Sequence, residues 1–108
     1  MKRGEVRWCT LRYPDKKRPV LILTRDSALN VLSGITVAPI ATTIRHIPSE
    51  VILTPEEDDV PAVSAVNVDN LQTVQKSQLG ILITVLKKER LNRVERAICF
   101  ALGMDSLL

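Results

Sequence analysis

Only one stretch of this 108-residue chain carries apolar residues at helical spacing. Leu91, Val94, Ile98, Ala101 and Leu102 fall three, four, three and one apart, forming a single stripe, with Lys88, Glu89, Arg93 and Arg96 on the other faces. The spacing predicts a helix over about 87–102, and Gly103 stands just past its end, where a left-handed residue closes helices. Everything before it is cut into short β-branched pieces. Residues 5–12 alternate, with Val6, Trp8 and Thr10 on one face, as in a half-buried strand. Val20 to Thr24 is apolar throughout, the pattern of a strand buried on both faces. Residues 35–40, 50–53, the Val63–Val68 region and 81–85 also read as strands, whereas 25–32 fits either a short helical turn or a loop. Pro39 lacks an N–H, which predicts a strand end, bulge or edge for it. Tyr13–Pro19 and Thr54–Pro61 read as loops, and 76–79 as one helical turn closed by Gly80. Five or six strands followed by one helix predict a single α+β domain over residues 1–108, with a small, strongly curved antiparallel sheet.

The longest apolar runs, such as Val20–Leu23 and Ile81–Ile83, are far short of the ~20 residues a membrane span requires. Residues 1–5 are mostly charged, with no secretory core, so a cytoplasmic protein is expected. In that reducing setting Cys9 and Cys99 are read as two buried thiols, although one disulfide is arithmetically open to them. Charge is unevenly spread. Residues 1–25 hold eight Lys and Arg against two carboxylates, residues 26–60 one against six, and residues 61–108 six against four. The basic first quarter suits a polyanion and equally suits a solvated charged face.

Several chemistries are excluded. The chain has no G-x-S-x-G elbow, P-loop or G-x-G-x-x-G. A lone histidine, His46, rules out paired-histidine acid–base catalysis, and with two cysteines it cannot complete a four-ligand zinc site. The carboxylate run Glu56–Asp59 is read as a solvated loop, since adjacent residues do not converge on one ion. Three aromatic residues give a poor supply of base-stacking platforms. What remains is Arg18, at the entry to an apolar strand, with the hydroxyls of Thr36, Thr42 and Thr43. A guanidinium held there can grip a phosphate bidentately and stabilise charge developing on it; as one of three basic residues in a turn it can also be merely solvated.

At these residues the chain resembles the MazF/PemK toxin family. The likeness is carried by Lys2–Trp8, by Arg18-Pro19 leading into Val20–Thr24, by Val37–Arg45, by Pro48–Val51 and by Ser64–Val74, in the family's order over about residues 2–104. The resemblance implies a small SH3-like antiparallel β-barrel with a C-terminal helix, the MazF/CcdB-like toxin fold, working as a homodimer. It implies a metal-independent endoribonuclease without cofactor, cutting single-stranded messenger, ribosomal or transfer RNA by attack of the ribose 2′-hydroxyl. It implies inhibition by a cognate, acidic, MazE-like antitoxin, with DNA binding by the toxin–antitoxin complex. Carried over by position, Arg18 is the catalytic arginine. The family's partner threonine lies two residues after the strand proline, where this chain has Ala41, which leaves Thr42 and Thr43 as candidates. Lys16, Lys17, Arg45, Ser64 and Gln72 are the implied RNA contacts. The loop over 13–17 is shorter than the RNA-covering loop of many members. Two other readings stay open: a weakened or inactive homologue that only binds RNA or antitoxin, suggested by Ala41, and a gyrase-directed CcdB-like toxin, whose aromatic C-terminal signature is missing from Asp105-Ser106-Leu107-Leu108.

Overall fold

The computed structural model describes residues 1–11 and 16–107. Seven strands form one antiparallel sheet: β1 (Glu5–Leu11), β2 (Lys16–Ile22), β3 (Gly34–Ala41), β4 (Glu50–Leu53), β5 (Ser64–Asn67), β6 (Gln72–Gln75) and β7 (Leu79–Val85). Helices α1 (Asp26–Leu29) and α2 (Pro55–Asp58) are single turns, and α3 (Lys88–Ala101) is the long terminal helix. The strand path is β4-β5-β3-β2-β1-β7, with β6 also paired to β3. Among the described residues no ladder joins β4 to β7, so the sheet curves without closing, and "barrel" describes it only loosely.

The core lies on both faces of β2, as Val20–Leu23 predicted. Leu21 packs with Val6, Ala38, Leu53, Val66 and Val94 under α3. Val20 and Ile22 pack on the opposite face with Cys9, Leu29, Ile35, Val37 and Val74. Helix α3 closes as its sequence predicts, with Gly103 at φ +71°.

Several expectations are corrected. Strand β2 starts at Lys16, within the expected 13–19 loop, because Lys16–Arg18 pair with β1 while their charged side chains stay in water. The rest of that expected loop, and Arg12 at the expected end of the first strand, lie outside the described residues. Pro19 is tolerated there because the β2–β3 ladder stops at Val20↔Pro39, so no partner awaits its missing N–H. Pro39 lies inside β3, in the gap where that strand's outer neighbour changes from β6 (ending at Val37↔Gln72) to β5 (starting at Ile40↔Val66). Within 54–61, Pro55–Asp58 form a helical turn capped by Thr54, whose Oγ1 accepts from the Glu57 N–H at 3.2 Å. Repulsion among its carboxylates is relieved by Arg90, which pairs with Glu57 and Asp58 at 3.0 and 3.1 Å. Strand β6 was not anticipated, and Gly80 lies within β7 rather than closing a helical turn. Both cysteines are free; Cys9 is buried, but Cys99 is only half-buried.

Two carboxylates contribute to the response to acid. Burial pushes Glu5 and Glu50 up, but hydrogen bonds outweigh it: Arg7 and a backbone N–H hold Glu5, and the backbone N–H and Nε of Arg45 hold Glu50, so both titrate below the ordinary value of 4.5. A carboxylate lowered on folding contributes its full stabilisation above its unfolded value and loses it as pH falls from there through its lower folded value. The urea midpoint is therefore expected to hold from pH 7 to about 5 and to fall below pH 4.5, with Glu50→Gln flattening part of the fall.

Candidate functional site

Strand β2 positions Arg18. Its backbone is paired to Cys9 on β1, and two residues later the chain enters the buried core, so its Cα is held while its side chain is exposed. Lys16, Lys17 and Arg18 are all exposed, and none has an ion-pair partner among the described residues. Behind Arg18, on the same face of the ladder, burial pushes the Cys9 thiol up, so it stays neutral. Among the described residues the guanidinium is thus a cation without a counter-charge on a core-anchored strand, the arrangement that suits an anionic phosphodiester.

The register shows what stands opposite. Val20 pairs with Pro39, the last pair of that ladder; two residues further along each strand, Arg18 and Ala41 keep to the same face of the sheet. Strand β3 runs regularly to Ala41, pairing Ile40↔Val66 and Ala41↔Ala65 without a bulge. Thr42 follows Ile40 onto the other face. There it lines a groove of about 150 Å³ with Trp8, Pro19, Ile40 and Ser64. Thr43 is exposed just beyond the strand.

The predicted site residues therefore do not converge on one place. Arg18 and Ala41 share one face. On that face lies a polar cleft lined by Leu11, Gln72, Thr73, Val74, Gln75 and Gln78. Thr42 and Ser64 share the opposite groove, and Lys17 lines a neighbouring one with Trp8, Thr10 and Gly80. Arg45 is elsewhere: its N–H and Nε donate to the Glu50 carboxylate at 2.8 and 3.0 Å, clasping the segment before β4. Sequence reasoning missed Gln75 and Gln78, whose only signal was their place beside Gln72, and it missed Trp8 as the shared wall of two grooves. Among the described residues no three His, Cys, Asp or Glu side chains gather as a metal-ligand set.

Residues 2–102 match the family described as "PemK-like, MazF-like toxin of type II toxin-antitoxin system". The chain is 43% identical over 101 residues, 93% of its length and 87% of the relative's, to a Mycobacterium tuberculosis protein named "Probable endoribonuclease MazF5". Its fold superposes on M. tuberculosis toxin MazF-mt6 with a TM-score of 0.84 at 36% identity, covering 94% of this chain and 98% of that one. A mycobacterial endoribonuclease solved in complex with its cognate antitoxin gives a TM-score of 0.85 at 29% identity, with 96% of each chain covered. A match running from the first strand to the end of the last helix, on the fold of those toxins, makes this chain a member of the PemK-like, MazF-like toxins of type II toxin–antitoxin systems.

Proposed function

We propose that this toxin is a metal-independent endoribonuclease that cuts single-stranded RNA in the cytoplasm, with Arg18 as its catalytic residue. The 2′-oxygen of the ribose attacks the adjacent phosphorus and loses its proton to solvent. The P–O5′ bond breaks, and the leaving oxygen takes up a proton. The products are a 2′,3′-cyclic phosphate and a 5′-hydroxyl. No water or metal enters the bond-making step; the need is for positive charge where the phosphorane becomes more anionic, and a strand-held guanidinium supplies it. Lys16 and Lys17 add sequence-independent phosphate contacts. The observation that carries this reading is Arg18, exposed and without an ion-pair partner among the described residues, on a strand anchored by a buried core. The names of the relatives favour RNA cleavage over a gyrase-directed toxin.

The same reading includes two partners. A second copy covers the apolar face of edge strand β7, where Ile81 is 78% exposed and Leu82 and Val85 are also exposed. An acidic antitoxin segment competes with RNA for the basic start of β2. Primer extension on a long RNA incubated with the purified protein in EDTA tests the activity. Discrete stops at a recurring short sequence are expected; RNA left intact over hours at micromolar protein contradicts the reading and selects a binding-only homologue.

A further inference from the structure

The polar cleft on the Arg18 face has a volume of about 650 Å³ and opens between the end of β1 and the outer edge of β6. Among the described residues its lining, Leu11, Gln72, Thr73, Val74, Gln75 and Gln78, includes no charge. It lies on the same face as Arg18: its Leu11 pairs with Lys16, two residues from Arg18 along β2, and Cys9, two residues from Leu11, pairs with Arg18. Cations and neutral amides are thus segregated side by side: the phosphate-binding group stands on β2, and donors and acceptors without charge fill the cleft.

Gln78 is fixed in place. Its Oε1 accepts from the Gln75 N–H at 2.8 Å and its Nε2 donates to the Thr10 carbonyl at 3.0 Å. Each atom keeps capacity for one further bond, so the amide offers a donor and an acceptor next to each other in a settled rotamer. The edge of β6 adds another such pair. Thr36 spends its N–H and carbonyl on Thr24 and Leu23, on the β2 side. Its partner Thr73 therefore turns its own N–H and carbonyl away from β3, to the open edge. An unstacked base presents a matching donor–acceptor edge, whereas a phosphate presents acceptors only.

Resting on the nuclease reading above, we infer that this cleft is the base-selecting subsite for a nucleotide next to the cut, with Gln78 and Gln72 as its specificity-determining residues. The test uses a single-stranded RNA pool with a random central segment, incubated in EDTA with the wild-type protein, Gln78→Glu or Gln72→Ala, and the 5′ ends of the fragments sequenced. Gln78→Glu keeps the acceptor toward Gln75 and replaces the donor by an acceptor; Gln72→Ala removes an amide that makes no hydrogen bond among the described residues, and decides alone should Gln78→Glu fail to fold. The expected result is a change of about tenfold or more in base preference at one and the same position beside the cut. Variants that cut with the wild-type preference at every position overturn the assignment and leave the nuclease reading standing. A pool left intact by the wild-type protein overturns both.

Discussion

Arg18→Ala is expected to lower RNA cleavage by at least about 10²–10³-fold, to background in a typical assay, while leaving the folded protein intact. The two halves of that expectation have separate grounds. The side chain is exposed, lies outside both buried clusters and has no ion pair among the described residues. Surface substitutions of this kind shift stability by only about 0.5 kcal/mol either way. The loss of rate follows from charge: the pentacoordinate phosphorus carries more negative charge than the ground state, and β2 offers no other cation at that register position. Lys17 points to the other face and Lys16 lies one ladder step further out. Cleavage of a short labelled RNA, together with a melting curve, checks both halves. Growth arrest that persists with this variant at equal expression removes Arg18 from the mechanism.

Ala41→Thr is expected to raise the rate, by up to about 10²-fold, since one hydrogen-bond donor to a developing oxyanion is commonly worth about that much. Strand alternation sets the face: Val20 pairs with Pro39, and two residues further along each strand Ala41 and Arg18 lie on the same side of the sheet. A threonine hydroxyl there would stand beside the guanidinium, and its β-branched side chain suits a strand. Thr42 does not substitute for it, because it lines the opposite groove with Trp8 and Ser64. A rate that stays level or drops in Ala41→Thr assigns the hydroxyl's role to another group, with exposed Thr43 the first to examine. The comparison is a single-turnover measurement on one RNA with both proteins at equal concentration.

Much of the fold was legible because burial and period coincide. Val20–Ile22 face two cores at once, which needs an unbroken apolar run, and the stripe from Leu91 to Leu102 with Gly103 behind it fits only a helix. Strand β6 was not legible, since Gln72-Thr73-Val74-Gln75 buries only Val74 and an edge strand requires no more. The start of β2 looked like a turn because Lys16, Lys17, Arg18 and Pro19 have turn composition; pairing to β1 overrides it without burying a charge. The turn α2 was hidden by four adjacent carboxylates, whose repulsion is answered by Arg90 from a helix 32 residues away in sequence from Asp58. At the proposed site, Arg18 is singled out by its place at the entry to an apolar strand and by the Arg-Pro pair of the family resemblance, and the structure leaves it exposed on that strand. Which hydroxyls and amides share its face could not be read in the same way, because that depends on a register fixed by strands far apart in the chain.

The central claim is that a guanidinium on β2 drives a transesterification. End-group analysis of RNA fragments made in EDTA by the wild-type protein and by Arg18→Ala tests it most directly. The account predicts 2′,3′-cyclic phosphate and 5′-hydroxyl ends from the first and no fragments from the second. Fragments ending in 5′-phosphate, or equal yields from the two proteins, would contradict it.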